Sequence, residues 1–171
     1  MSVADVISLL GGIALFLFGM SLMGEGLKKV AGSRLELVLY KLSSTPLKGV
    51  LLGTGVTAVI QSSSAAVGIL QALAMQGLMP LHFASYLICG INIGSAMPTI
   101  LASMSARNNA KRAAMIYLIY NVVGAVIMTP ITMCLPYTQL VERLIPDPVF
   151  QVSVVHILFK VVAAAVLLPC T

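Results

Sequence analysis

One polar stretch, residues 54–65, constrains this chain more than any other, because it lies in the middle of a long apolar region. It carries one amide, from Gln61, and five hydroxyl groups from threonine and serine side chains. Hydrocarbon cannot hydrogen-bond to such groups, so each of them requires an internal partner or a ligand. Three consecutive serines also favour a helix break, since Ser side chains compete for backbone hydrogen bonds. The stretch predicts a helix that unwinds at residues 61–64 and restarts at Ala65.

The predicted break has the chemistry of an ion site. A helix that restarts at Ala65 directs its first N–H groups and the positive end of its dipole toward the serines, which can hold an anion. Hydroxyl groups and freed carbonyls beside the break can hold a small cation. The alternative is that the serines only allow neighbouring helices to pack closely, as small residues do in membranes. Because a glutamine accompanies three serines, we favour the ion site.

The composition places this stretch in a membrane protein. The 171 residues are 59 % hydrophobic and 9 % charged, whereas soluble domains contain about 25 % charged residues. We therefore expect a single membrane domain over residues 1–171. The net charge of +5 does not indicate a nucleic-acid partner, since the basic residues occupy short loops and are typical of topology signals. The three cysteines show no metal-ligand spacing and are expected to be buried free thiols.

Apolar runs and turn signals predict an all-α membrane protein of about five spans, two of them interrupted. The first interrupted span begins with Thr45 as N-cap and Pro46 at the first helical position. The second interruption is predicted at the glycine-rich residues 90–95. This segment could be a hinge, a packing site or a ligand site, and the sequence leaves all three open. Paired interrupted helices are the best sequence pointer to a transporter site. The predicted segments are a first span at 7–23, an interfacial amphipathic helix at 27–43, broken spans at 46–76 and 81–105, a full span at 113–133, an external loop at 136–148 and a last span at 152–168.

Basic residues predict the sidedness of these spans. If each broken span crosses the membrane once, the loops at 24–48 and 105–112 face the same side, and their positive charge makes both cytoplasmic. Such a strong bias also predicts insertion in one orientation. Hairpins that re-enter the membrane at the breaks would change the number of crossings, so both arrangements stay open.

The last predicted span contains two ionisable residues, His156 and Lys160, one turn apart on the same face. Ionisable groups inside a span are costly and are functional by default. The alternative is that the Lys160 side chain reaches to one membrane interface. The sequence leaves these two interpretations equally open.

Three short segments resemble the sodium/phosphate cotransporter family, meaning the type II transporters and their bacterial relatives. They are residues 57–65 with the Gln-Ser-Ser-Ser motif, residues 90–95 (Gly-Ile-Asn-Ile-Gly-Ser), and residues 111–114 (Lys-Arg-Ala-Ala) followed by Asn121. In that family two inverted repeats each carry one Gln-Ser-Ser-Ser motif, and the site forms between them. This chain has one such motif and looks like the first repeat alone. The resemblance implies a plasma-membrane protein whose partner is a second repeat on the same polypeptide or, failing that, a second copy in a homodimer.

The resemblance also implies sodium-coupled transport of inorganic phosphate across the lipid bilayer, with no cofactor and no metal beyond the sodium ion. No Asp or Glu lies deep in a predicted span, which suits an anion site because like charges repel strongly in a low dielectric. The residues assigned to phosphate are Gln61, Ser62, Ser63 and Ser64. The residues assigned to sodium are Thr54, Thr57, Asn92 and Ser95.

Other functions remain as alternatives. A structural or regulatory membrane module without transport, or a truncated half-transporter that is inactive alone, is consistent with the single motif. An intramembrane hydrolase is disfavoured, because a serine nucleophile needs a base, and no motif places His82 or His156 beside the serines. We therefore expect no enzymatic activity.

Overall fold

A computed structural model describes residues 3–15, 18–19, 22 and 45–168 of the chain. Every regular element in this part is helical, which confirms the predicted all-α class. The amphipathic helix predicted at 27–43 lies outside the described residues. The helices are α1 (Val3–Leu15), α2 (Pro46–Ile60), α3 (Ser63–Met75), α4 (Leu81–Gly94), α5 (Met97–Ser103), α6 (Asn108–Cys134), α7 (Tyr137–Leu144) and α8 (Pro148–Leu167).

Three segments of the described chain are long and apolar enough to cross a membrane. They are α4 with α5 (Leu81–Ser103, 23 residues), α6 (27 residues) and α8 (20 residues). Helices α2 and α3 have 15 and 13 residues, fewer than the roughly 20 that a spanning helix needs. The described residues therefore give three candidate spans, and the predicted five are not confirmed.

Helices α2 and α4 run parallel and touch along their backbones. Gly49 of α2 lies against Tyr86 of α4, and toward the other end of the pair Gly94 of α4 lies against Thr57 and Ala58 of α2. A Cβ atom added to Gly94 would lie 2.6 Å from the Thr54 carbonyl oxygen. Small residues four apart on both helices make this close approach possible.

Helix α3 runs in the opposite direction. It is joined to α4 by a tight turn, in which Gly77 adopts φ +68° and the Leu78 N–H donates to the Leu73 carbonyl at 3.0 Å. Because α2 is parallel to α4 and α3 returns antiparallel to it, α2 and α3 form a helical hairpin with its tip at Gln61. The segment 46–76, predicted as the first broken span, thus forms a helical hairpin, which is one of the two arrangements that the sequence left open.

The hairpin changes the predicted sidedness. Lys48 at the start of α2 lies at the end of the bundle where α6 finishes, since Pro46 and Met133 line the same groove. Lys111 lies at the other end, where it lines a groove with Ser103. The loops at 24–48 and 105–112 were predicted to face the same side. The opposite positions of Lys48 and Lys111 in the bundle do not support this prediction.

The second interruption is shorter than predicted and begins at the last residue of the predicted segment. Residues 90–94 are helical, and the chain leaves the helix only at Ser95 and Ala96, between α4 and α5. The glycines of this segment serve packing: a Cβ at Gly90 would overlap the Val50 carbonyl oxygen. Of the three possibilities for residues 90–95, the packing site is the one that the glycine contacts support.

Two smaller predictions also need correction. The external loop predicted at 136–148 contains a helix, α7, whose Val141 is buried in the core. Of the cysteines expected to be buried, Cys89 is buried, whereas Cys134 is exposed at the end of α6. Cys170 lies outside the described residues.

Candidate functional site

The hairpin tip consists of two residues, Gln61 and Ser62. Gln61 adopts the left-handed conformation (φ 57°, ψ 22°), and its N–H donates to the Thr57 carbonyl at 2.7 Å, which closes α2. Ser62 is extended (φ −142°) and caps α3, because its Oγ accepts from the Ala65 N–H at 3.2 Å. These two conformations reverse the chain direction.

The break is therefore shorter than predicted. Helix α3 begins at Ser63 and not at Ala65, so Ser63 and Ser64 lie in its first turn. The physical reason is the N-cap: an extended Ser that bonds to the third N–H beyond it lets the helix begin at the next residue. The Ser62 hydroxyl accepts from this N–H and retains its own hydrogen for donation.

Opposite helix ends meet at this tip. The carbonyls of the last turn of α2 point toward it, and in helix geometry those after Thr57 have no intrahelical donor. The first N–H groups of α3, at Ser63 and Ser64, likewise have no intrahelical acceptor. The tip thus combines a partly negative helix end suited to a cation with a partly positive end suited to an anion.

The tip does not lie at the end of the bundle. Thr57 and Ala58, near the end of α2, lie against Gly94, and the chain continues beyond Gly94 through α5 to Ser103. The hairpin therefore ends partway along the 23-residue candidate span Leu81–Ser103. Polar groups at this depth need internal partners or ligands.

Thr54 and Thr57 line the contact between α2 and α4. The Thr54 hydroxyl lies 2.8 Å from the Val50 carbonyl and 3.2 Å from the Gly90 carbonyl, so it joins the two helices. Thr57 is fully buried, and its Oγ1 has no hydrogen-bond partner within the described part of the chain. A buried hydroxyl without a partner costs about 1–3 kcal/mol, which makes Thr57 the most conspicuous polar group near the tip.

Asn92 and Ser95 make other contacts. The Asn92 Oδ1 lies 3.3 Å from the His156 Nε2 of α8. The Ser95 hydroxyl donates to the Asn92 carbonyl at 2.6 Å and lies 3.1 Å from the Tyr117 hydroxyl of α6. The four residues assigned to sodium are thus divided: two line the α2–α4 contact, and two join α4 to α8 and α6.

A second polar group connects α6 and α8. The Lys160 Nζ donates to the Asn121 Oδ1 at 3.2 Å, near the middle of α6. Its ammonium also lies about 6 Å from the ring centroids of Tyr117, Tyr120 and Phe159, at 6.0, 5.9 and 5.8 Å. The side chain is therefore partly buried and held against α6, and these contacts favour a place within the bundle over the alternative in which Lys160 reaches an interface. The sequence pointed to Lys160 and Asn121 separately, but it carried no signal that joined them.

Comparison with known proteins gives the family. The Na+/Pi-cotransporter family matches residues 15–144. An uncharacterized protein, YqeW, of Bacillus subtilis is 30 % identical over all of this chain, and the chain covers 62 % of its length. No solved structure matches the chain significantly.

Two further relatives carry functional names. The human sodium-dependent phosphate transport protein 2B is 26 % identical over 85 % of the chain, which covers 22 % of that protein. The putative inorganic phosphate export protein YjbB of Escherichia coli K12 is 25 % identical over 92 % of the chain, which covers 29 % of that protein. The chain spans less than two thirds of the length of each of these relatives. The family match extends over most of the chain, and the chain belongs to the Na+/Pi-cotransporter family.

Proposed function

We propose that this chain forms part of a sodium-coupled transporter of inorganic phosphate in the plasma membrane, with the ions held at the hairpin tip. One observation carries the proposal: two antiparallel helices, each too short to span a bilayer, meet at Gln61 and Ser62 partway along the candidate span beside them. Paired half-helices of this kind hold substrates and coupling ions in secondary transporters. The family and the names of its relatives support phosphate and sodium as those ions.

Phosphate is assigned to the α3 side of the tip. The N–H groups of Ser63 and Ser64 and the hydroxyl groups of Ser62, Ser63 and Ser64 are donors within two residues of the helix start. The Gln61 amide, on an exposed side chain in the left-handed turn, adds two more N–H donors. A site made of donors without a carboxylate favours an oxyanion.

Sodium is assigned first to the α2 side. The Thr57 hydroxyl needs a partner, and the last carbonyls of α2 supply further oxygen ligands for a hard cation. Thr54 is one turn earlier on the same contact. For Asn92 and Ser95 to bind sodium, their present contacts with His156 and Tyr117 would have to be exchanged for the ion.

Coupling follows from the distance between the two helix ends. A cation at the end of α2 and an anion at the start of α3 would be separated only by the two residues of the tip. Opposite charges about 8 Å apart attract by about 2 kcal/mol at the effective dielectric constant of a protein surface. Each ion would therefore increase the affinity for the other.

Transport by the whole protein would require a second half. An inverted-repeat site forms between two opposed repeats, and the exposed faces of α2 and α3 provide the surface for the other repeat. We assign this role to a second repeat of the same polypeptide, with a homodimer as the alternative. One relative is named for export, so the experiment below measures flux in both directions.

Radiolabelled phosphate flux through the full-length protein in proteoliposomes tests the proposal. The double variant Ser63→Ala with Ser64→Ala keeps α3 helical, because Ala is the best helix former. We expect it to raise the KM for phosphate at least tenfold, since a hydrogen bond to a charged group contributes about 1.5–3 kcal/mol. Ser105→Ala, at an exposed position after α5, is the matched control. Flux that does not depend on sodium, or that is unchanged in the double variant, would refute the proposal.

A further inference from the structure

Helix α8 carries a polar stripe that the proposed function does not yet use. Ser153, His156 and Lys160 recur at spacings of three and four residues, so they share one face of the helix. This face contacts α3 at Ser153, which accepts from the Gln71 amide at 2.9 Å. Further along, it contacts α4 through His156 and Asn92, and α6 through Lys160 and Asn121.

Lys160 lies level with the hairpin tip. Helices α3 and α8 are antiparallel, since Gln71 contacts Ser153 while Ala74, further along α3, lines a cavity with Pro148 at the start of α8. Lys160 is seven residues beyond Ser153, about 10 Å along α8. Ser63 is eight residues before Gln71, about 12 Å along α3 in the same direction. The ammonium and the first N–H groups of α3 therefore lie at nearly the same depth.

The groups around the Lys160 ammonium suit a positive charge. Its hydrogen-bond partner among the described residues is an amide oxygen, that of Asn121, and three aromatic ring centroids lie about 6 Å away. Aromatic faces attract cations electrostatically. The Tyr120 hydroxyl donates to the Lys160 carbonyl at 3.0 Å, which fixes this turn of α8 against α6.

The nearest acidic residue in sequence cannot pair with this charge. Asp147 caps the start of α8, where its carboxylate accepts from the Val149 N–H at 2.7 Å. It precedes Lys160 by thirteen residues (147 to 160), which corresponds to about 20 Å along the helix. A charged group at this depth is costly and functional by default.

We propose that Lys160 is a fixed cation of the transport core, which stabilises an oxyanion bound at the hairpin tip. Its positive charge replaces part of the charge that bound sodium would otherwise supply. This inference rests on the proposed function and adds a residue that acts on the substrate through its charge and not by direct contact. Helices α3 and α8 pack side by side, and the axes of packed helices are about 8–10 Å apart. The Lys160 side chain points toward α6, so its charge lies somewhat further from the start of α3. At about 12 Å, one unit charge changes the affinity for a monovalent anion about tenfold at an effective dielectric constant of 20.

Binding of radiolabelled inorganic phosphate to the purified full-length protein, measured over a range of sodium concentrations, tests this inference. Lys160→Met removes the charge and keeps the stem, and we expect it to raise the Kd for phosphate about tenfold and to make binding depend more steeply on sodium. Lys160→Arg keeps the charge and should stay within threefold of the wild type. Lys111→Met removes an exposed lysine at the start of α6 and should change neither quantity.

A second variant covers the case in which Lys160→Met does not fold. Asn121→Asp keeps the size of the side chain and places a carboxylate beside the ammonium, so it should weaken phosphate binding to a similar extent. A Kd within twofold of the wild type in Lys160→Met and Asn121→Asp, or in whichever of the two folds, would overturn the inference while leaving the proposed function intact. Failure of the wild type itself to bind phosphate would overturn both.

Discussion

Gly90 of α4 lies directly against the carbonyl group of Val50 on α2, so closely that a Cβ atom at this position would overlap the oxygen. The same carbonyl accepts from the Thr54 hydroxyl at 2.8 Å. This contact sets the distance between the hairpin and its neighbouring span. It therefore also sets the depth at which the tip meets α4.

Alanine at Gly90 tests this contact. Because the obstructing atoms belong to the backbone of α2 and cannot rotate away, we expect Gly90→Ala to destabilise the bundle by about 1–3 kcal/mol. Gly55→Ala is the matched control, since no atom lies within 4 Å of its added Cβ, and it should be neutral or stabilise by up to about 1 kcal/mol. Thermal unfolding in detergent measures both, and equal stabilities of the two variants would contradict the contact.

Thr57 provides a test that separates stability from ion binding. Its buried Oγ1 lacks a partner among the described residues, so Thr57→Val should leave the thermal stability unchanged or raise it by about 1 kcal/mol. If the hydroxyl binds sodium, the same variant should need several times more sodium for half-maximal phosphate uptake, whereas Thr57→Ser should behave like the wild type. A loss of stability with unchanged sodium dependence would indicate a structural hydroxyl.

The Ser62 cap predicts a graded effect on stability. Ser62→Ala removes the acceptor for the Ala65 N–H and should cost about 0.5–2 kcal/mol. Ser62→Asn retains a capping oxygen and should recover most of this loss. Thermal unfolding of the three proteins checks the order, and an alanine variant as stable as the wild type would show that the cap contributes nothing.

The left-handed conformation of Gln61 predicts a trade between stability and function. Non-glycine residues in this region cost about 1–2 kcal/mol, and Gln61 has φ 57°. Gln61→Gly should therefore fold with equal or higher stability, but it should bind phosphate less tightly because the amide is lost. Gln61→Val should be destabilised, since a β-branched side chain tolerates this conformation poorly. Wild-type phosphate affinity in Gln61→Gly would exclude a role of the amide in binding.

Local features of the hairpin formed by α2 and α3 could be predicted from the sequence, because interactions between neighbouring residues determine them. The break at the serines follows from side-chain hydrogen bonding, and the helix start at Pro46 follows from the fixed φ of Pro. The start of α3 was predicted two residues late. The cap from Ser62 to Ala65 fixed it at Ser63, and three adjacent serines offer three possible caps.

Neither the direction of α3 nor the role of the glycine-rich residues 90–95 in helix packing could be predicted. Both depend on which helices touch, and neither Gly90 nor Gly94 shows in sequence whether it breaks a helix or lets another helix approach. The partner of Lys160 could not be predicted for the same reason. Asn121 is 39 residues away in sequence and contacts Lys160 only when α6 packs on α8.

Sidedness of labelling tests the hairpin most directly. In a variant whose native cysteines are replaced by alanine, single cysteines at the exposed positions Lys48, Pro80 and Asn109 can be labelled with an impermeant reagent in right-side-out and inverted vesicles. If α2 and α3 form a hairpin that re-enters the membrane, the cysteines at 48 and 80 should be labelled from the same side and the cysteine at 109 from the opposite side. Labelling of 48 and 109 from one side and of 80 from the other would contradict the hairpin and restore a single crossing.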